Sequence, residues 1–379
     1  MRIVVVGAGI LGASVAFHLA REGVHVTVVD QAHEGRATAA GAGIICPWVS
    51  GVDDPAFYRL YAGGGRYYGD LIPLLAELGE TDLGFRRVGA MVVSKEAAEL
   101  EIFQAMLLRR QLDTPEMGAI SLLSPQEASG LFPPLGREFS ALHVAGGGRV
   151  DGRLIAAGLL RAAQRQGAAV REGHAELVAA NERVTGVAVD GETITADQVV
   201  VTAGAWATSL LRQVGVSLPI EPQRGQIVHL RLPAQDTQLW PVILPPGSHY
   251  LLAFDDRRVV VGATRESGSG FDYRVTAAGQ MEVLAEALRV APGLASATII
   301  ETRVGFRPVA LGGRPLLGKV AGIEGLMVGN GLGAAGLTIG PFAGKLLADV
   351  ALGREPGVDL APFDPLQQTG TTRRALPLR

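Results

Sequence analysis

The sequence contains a single cysteine, Cys46. An intrachain disulfide is therefore excluded, which suits a reducing compartment, and a cytoplasmic location is expected. No run reaches the roughly 18 apolar residues that would span a bilayer. The opening "MRIVVVGAGI" carries one basic residue and its apolar run stops at glycine, so neither a secretory leader nor a transmembrane segment is expected, and only peripheral membrane contact stays open. An excess of one charge is missing too. Against 34 Lys+Arg stand 37 Asp+Glu, a net charge of −3, and no basic patch points to nucleic acid. The histidines are scattered and no metal-ligand cluster is found. No period-matched internal repeat occurs.

What the chain has is apolar bulk and glycine. It runs to 379 residues, 48% hydrophobic and only 19% charged. That is enough for a large core and too long for one ordinary domain, so two domains are expected, not necessarily consecutive. Glycine occurs 51 times, well above the usual ~7%. Many of these glycines cluster, as they do where backbone closely approaches a ligand.

The densest signal is "IVVVGAGILGASVAFHLAREGVHVTVVD". A β-branched run, Ile3 to Val6, reads as a strand buried on both faces of a parallel sheet. Gly7-x-Gly9-x-x-Gly12 follows at once. A helical pattern with Leu11, Val15 and Leu19 on one face then ends at Gly23. Val26 to Val29 form a second strand, and Asp30 stands at its end. Glycines in the turn let backbone N–H groups approach a pyrophosphate, the helix N-terminus adds positive potential, and the acid accepts hydrogen bonds from ribose hydroxyls. In this order the parts point to dinucleotide binding by Gly7, Ala8, Gly9, Ile10, Leu11, Gly12, Asp30 and Gln31. Asp30 disfavours a 2′-phosphate and hence NADP, but the segment does not separate NAD from FAD. His18 reads as a partly buried helix residue.

Two later segments favour a flavin. "TITADQVVVTAGAWATSLL" contains a strand, Gln198 to Thr202, that runs into Ala203, Gly204 and Trp206 before a helix. "GLMVGNGLGAAGLTIGPFAGKLLADVALG" contains a strand from Leu326 to Val328, a glycine-rich loop and a helix from Leu337 to Leu352. Pro341 is expected within that helix's first turn. A second helix N-terminus beside a glycine-rich loop suits the electron-rich edge of a reduced isoalloxazine. An NAD enzyme has no need of it.

At this point the chain resembles the D-amino acid oxidase / glycine oxidase group of FAD-dependent oxidoreductases, over nearly its whole length. The resemblance rests on the fingerprint above, on "RATAAGAGII" at 36–45, "VVVTAGAWA" at 199–207, "VVVGATRESGSGFD" at 259–272, "GFRPVALGGRPLLG" at 305–318 and "GLGAAGLTIGP" at 331–341. It implies an α/β fold in which a Rossmann-like FAD-binding domain (1–83, 147–221 and 313–379) is interleaved with a smaller antiparallel-sheet substrate domain (84–146 and 222–312). It also implies noncovalent FAD held by Thr38, Gly43, Ile44, Glu176, Gly331, Leu332, Gly333, Ala334, Ala335, Gly336, Leu337 and Thr338 in addition to the residues above. Relatives that attach flavin covalently use a cysteine near the C-terminal loop, and 315–341 has none, so Cys46 reads as a small apolar residue near the flavin.

Within the second domain, "FRRVGAMVVS" reads as a strand, "KEAAELEIFQAMLLRRQ" as a helix, and a proline-rich return follows. "GQIVHLRL" (225–232), "HYLLAF" (249–254) and "RRVVVGAT" (257–264) read as antiparallel strands. In "ETRVGFRPVALGGRPLLG", alternation puts Glu301, Arg303, Gly305 and Arg307 on one face, with Gly305 leaving a gap beside Arg307. Arginine presents a planar fork that fits a carboxylate. By the resemblance, Arg307 holds the substrate carboxylate, and Tyr250 points its hydroxyl at it. Arg303 and Arg265 are weaker candidates. The plainer alternatives are an ion pair of Arg307 or Arg303 with Glu301, and simple packing for Tyr250. His249 alternates to the opposite face and reads as solvent-facing.

The resemblance implies oxidation of the Cα–N bond of a small amino acid, of the D-amino acid or glycine/sarcosine type, by hydride transfer to flavin N5. The resulting imine hydrolyses to a keto acid, and oxygen or a quinone-type carrier reoxidises the flavin. An L-proline or hydroxyproline dehydrogenase and a flavin-binding subunit of a larger amine dehydrogenase complex remain open, as does a homo-oligomer. The chain departs from common relatives at Arg303, where Trp is frequent, at Leu332, where His is frequent, at Ala334, where glycine oxidase has an arginine, and at Gly312, where an acid is common nearby. The smaller, less polar groups imply room for a bulkier side chain. The tail "QQTGTTRRALPLR" is polar and is expected to fray.

Overall fold

The computed structural model describes residues 1–367 and the short strand Thr372–Arg373; the expected fraying of the tail concerns residues largely outside these. Two sheets dominate. The first has six strands in the order Leu316–Lys319, Leu326–Asn330, Gln198–Val201, Arg2–Val6, His25–Asp30, Ala169–Glu172. All its pairings are parallel except the first. Ile3, Val5 and Val28 pack on one side of this sheet and Val4, Val6 and Val29 on the other, each in its own apolar cluster. That burial on both faces is why these strands are continuous β-branched runs.

The helix Ile10–Arg21 follows the first strand and is buried along nearly its whole length. It packs between the helices Gly152–Arg165 and Gly336–Ala351. Gly12 makes the strand-to-helix turn possible, because a Cβ there would run into the Gly7 carbonyl and the Thr202 side chain. The long helix Pro55–Glu77 lies against Gly336–Ala351.

The second sheet has eight strands in the order Thr298–Ala310, Ile220–Arg231, Arg258–Gly262, Tyr250–Ala253, Val242–Leu244, Ala90–Ser94, Ser140–Val144, Ile120–Leu123. It is antiparallel apart from one joint, Val242–Leu244 against Ala90–Ser94. Its largest contact is the pairing of Ile220–Arg231 with Thr298–Ala310, with Gly225 opposite Gly305 and Gln223 opposite Arg307.

Several elements differ from the sequence reading. The proline-rich return contains two strands, Ile120–Leu123 and Ser140–Val144, and the helix Pro125–Leu131, which Ser124 and Glu127 close with a capping box. "FRRVGAMVVS" is broken at Gly89, whose φ of +78° interrupts the strand. The C-terminal helix begins at Gly336, which puts Pro341 beyond the first turn. Proline cannot donate to the carbonyl four residues back. That carbonyl, on Leu337, instead accepts a hydrogen bond of 2.6 Å from the Tyr68 hydroxyl. Among the described residues no helix is long and apolar enough to cross a membrane.

Candidate active site

One cavity of about 1100 Å³ runs from the carboxyl ends of the parallel strands to the face of the antiparallel sheet. Its lining includes Gly7, Asp30, Ala203 and Asn330 at those strand ends, the position where open α/β sheets bind ligands. Its volume exceeds the roughly 300–1,000 Å³ of ordinary small-molecule pockets, so it accommodates a group of dinucleotide length together with a small substrate.

At the fingerprint end, Gly7 adopts φ +108°. Helix Ile10–Arg21 starts at Gly9 with no side-chain cap, and the Ile10 amide donates to the Thr38 hydroxyl at 3.0 Å. Gly9, Ile10, Leu11 and Thr38 all line the cavity. The Asp30 carboxylate accepts from the amides of Ala8 (2.5 Å) and Ala32 (2.6 Å) and pairs with Arg36 at 3.3 Å. It is thereby held at the cavity wall with lone pairs to spare, as a ribose-binding carboxylate requires.

The middle of the cavity is made by the two other glycine-bearing strand ends. Asn330 ties them together: its amide nitrogen donates to the Gly204 carbonyl at 2.9 Å and its oxygen accepts from the Gly331 amide at 2.8 Å. Gly331 and Gly333 have φ of +72° and +51°. The helix after them starts at Ala335 with no side-chain cap. Trp206 stacks between His33 and Phe271, with ring centroids 4.5 and 5.0 Å away. These parts fit FAD. Asp30 and the Gly7–Leu11 turn would hold the adenosine and pyrophosphate, and the Gly331–Leu337 segment the flavin.

At the far end stand Arg307, Tyr250 and Arg265, with His249, Tyr61, Phe103, Ile227, Leu244 and Cys46 around them. Arg307 donates to the Thr264 carbonyl at 3.1 Å. Burial lowers its pKa, an effect that Tyr250 opposes, yet an arginine stays charged at any physiological pH. Burial also raises the pKa of Tyr250, an effect that the Arg307 and Arg265 charges oppose. The Tyr250 phenol is thus neutral and beside a cation. Burial pushes the Cys46 thiol up to about 12, so it is a neutral apolar wall rather than a nucleophile.

Most residues expected from sequence border this cavity, including Gln31, Gly43, Ile44, Ala203, Gly204, Leu332, Gly333, Ala334, Ala335, Gly336 and Leu337. Five do not. Ala8 acts through its amide on Asp30. Gly12 serves helix–strand packing. Thr338 is buried and donates to the Ile44 carbonyl at 3.0 Å. Glu176 is exposed, and its neighbour Ala175 lines the cavity instead. Arg303 is committed to Glu301 and the Ala39 carbonyl, so of the two arginines on that face the nearer acid takes Arg303 and leaves Arg307.

The expected gap at Gly305 is also placed differently. Gly305 borders the cavity, but a Cβ there would come 2.6 Å from the Ala40 Cβ. The room for Arg307 comes from Gly225 on the paired strand, where a Cβ would lie 2.5 Å from the guanidinium. His249 is a cavity residue rather than a solvent-facing one, with Nε2 3.4 Å from the Glu282 carboxylate. Sequence reasoning also missed Asn330, Tyr61 and Phe103. Asn330 sits inside the glycine-rich "VGNGLG" and could have been singled out as its one amide side chain. Tyr61 and Phe103 lie on helices in patterns indistinguishable from core packing.

A family model for FAD dependent oxidoreductases matches residues 2–350. The uncharacterized oxidoreductase YurR of Bacillus subtilis (strain 168) is 48% identical over 363 residues, covering 96% of this chain and 98% of its own. Glycine oxidase of Pseudomonas putida is 31% identical over 375 residues, 97% of this chain and 99% of its own. The crystal structure of iminodiacetate oxidase from Chelativorans sp. BNC1 superposes with a TM-score of 0.94 at 54% identity, covering 96% of this chain and 99% of that one. With the dinucleotide-length cavity and its glycine-lined wall, these matches establish that the chain belongs to the FAD-dependent oxidoreductase family of D-amino acid oxidase type.

Proposed function

We propose that the protein oxidises the Cα–N bond of a small amino acid of the glycine type, that is, an amine bearing N–CH2–COO⁻. The observation that carries this is the pairing of Arg307 with Tyr250 at the far end of the cavity, with no carboxylate partner for Arg307 among the described residues. A guanidinium without an acidic partner, beside a hydroxyl, is suited to a planar carboxylate. Glycine oxidase and iminodiacetate oxidase, by their names, both act on compounds holding that unit.

Bound FAD supplies the two-electron acceptor. The chain's own residues do the rest. Arg307 binds the carboxylate and fixes the orientation of the Cα–H bond, and the Tyr250 hydroxyl supports the same oxygen pair. The Arg307 and Arg265 charges disfavour the ammonium form of the substrate, leaving the nitrogen lone pair free to form C=N as the Cα–H bond breaks. Ile227, Phe103, Leu244 and Tyr61 make the wall around them apolar, which limits water and strengthens the electrostatic hold. Burial holds the Tyr61 hydroxyl neutral, with a pKa pushed up to about 12. Hydrolysis of the released imine gives glyoxylate and an amine.

Arg307→Ala tests the assignment. It is expected to keep FAD bound while raising KM for carboxylate substrates by orders of magnitude, since a charge-assisted bidentate contact is lost. Unchanged kinetics would contradict the role. Admitting air to the substrate-treated protein separates direct reoxidation by oxygen from dependence on another acceptor.

A further inference from the structure

The loop "RESGSGFDYR" (265–274) is built of small and charged residues, yet it carries two aromatics, Phe271 and Tyr273, which stand 47% and 43% exposed. It joins the strand Arg258–Gly262 of the antiparallel sheet to the helix Ala277–Val290. One buried residue, Arg224, fastens it at two points: it pairs with Glu266 and, at 2.9 Å, with Asp272. Between these anchors Gly268 and Gly270 take φ of +77° and +55°, turns that glycine makes without strain.

The Phe271 ring lies on Trp206, with 5.0 Å between centroids and planes 19° apart. Trp206 follows the strand Gln198–Val201 of the parallel sheet, and it also stacks with His33, three residues after Asp30. Phe306 meets Trp206 and Phe271 edge-on, at 6.1 and 5.3 Å, and Tyr273 leans on Phe306 at 6.4 Å. Among the described residues the Trp206 indole makes no hydrogen bond, so ring contacts hold it. His33, Trp206 and Phe306 border the cavity, whereas Phe271 does not. Phe271 thus backs the wall from outside. With His33 so near Asp30 in the chain, that wall belongs to the end where the adenosine of FAD would be held.

We propose that Phe271 is a positioning residue for the cofactor: docked on Trp206, it holds the wall of the adenosine end in place and so sets how fast FAD leaves. The loop that carries it belongs to the antiparallel sheet, while Trp206 and His33 extend from the parallel one, so the stack ties the two sheets together over the cofactor. The inference rests on the FAD assignment and is independent of the Arg307 reading. An aromatic pair of this kind is worth about a three- to tenfold change in a rate or equilibrium.

The test uses the FAD-bound protein without substrate and reads FAD release as the rise of free-flavin fluorescence after dilution. Phe271→Ala is expected to release FAD about three- to tenfold faster than the intact protein. Phe271→Tyr keeps the ring and is expected to keep the intact rate. Asp272→Asn loosens one anchor, leaves the ring in the chain, and is expected to fall between. Trp206→Leu speeds release by itself, and Phe271→Ala adds nothing further in that background, because its effect passes through Trp206. Release from Phe271→Ala at the intact rate overturns the inference. So does equal acceleration by Phe271→Tyr, or an acceleration by Phe271→Ala that persists in full beside Trp206→Leu, which would make Phe271 a general prop of the fold. No turnover enters these readings, so their failure is distinct from failure of amine oxidation, which would appear as no loss of flavin absorbance with any N–CH2–COO⁻ amine.

Discussion

At Gly225 the absence of a side chain decides where a functional one goes. The Arg307 guanidinium occupies the space a methyl group would take, 2.5 Å from where a Cβ on Gly225 would stand. Gly225→Ala is therefore expected to displace Arg307 without touching the FAD end. Steady-state kinetics should show a raised KM with FAD stoichiometry unchanged, and a normal KM would show that Arg307 has slack. Tyr250→Phe removes one hydrogen-bonding group beside a charge, a loss of about 1.5–3 kcal/mol. The expected result is at least a tenfold fall in kcat/KM. Alternation along the strand put Arg307 on a polar face, and the family resemblance put Arg307 and Tyr250 forward as carboxylate ligands. Alternation could not tell Arg307 from Arg303, because that difference depends on Glu301 turning toward one of them. Nor could it find Gly225, whose role exists only across the strand pair.

Between elements, the join of the helices Pro55–Glu77 and Gly336–Ala351 rests on a similar exchange. Pro341 frees the Leu337 carbonyl inside the helix, and Tyr68 from the other helix satisfies it. Tyr68→Phe leaves a buried acceptor unpaired and is expected to destabilise the fold by about 1–3 kcal/mol in denaturant unfolding. A change within error would mean that the carbonyl finds another donor. The strands of the parallel sheet were legible because burial on both faces writes an uninterrupted β-branched run. The strands Ile120–Leu123, at the sheet edge, and Ser140–Val144, next to it, were not, since they lie among prolines and glycines and carry no clean alternation. The parallel joint at Val242–Leu244 is invisible locally, as its partner Ala90–Ser94 lies far away in sequence.

Across the whole molecule, the cavity is built from both sheets, so its two ends come from distant parts of the chain. A ligand that bridges them is expected to stabilise the fold by mass action, and removing FAD should lower the melting temperature. Buried histidines set a pH limit. His18, bonded to the Tyr67 hydroxyl at 2.8 Å, has its pKa lowered from 6.5 to about 3 by burial, and burial lowers that of His229 as well. The folded state thus takes up these protons later than the unfolded one. Their stabilisation is complete above about pH 6.5 and is lost progressively as pH falls from there toward 3. Between pH 6.5 and 5 the carboxylates stay ionised, so thermal scans in that window should show a falling melting temperature, less steep in His18→Gln. A flat profile would contradict the burial of His18.

The most direct measurement is an anaerobic visible spectrum of the purified protein, titrated with glycine, sarcosine and iminodiacetate, and with dimethylamine as the amine lacking a carboxylate. The expected result is loss of the visible flavin band with at least one carboxylate amine, with glyoxylate formed, no response to dimethylamine, and an Arg307→Ala protein that keeps its colour throughout. A yellow protein bleached by none of the carboxylate amines, or bleached equally by dimethylamine, would contradict the account.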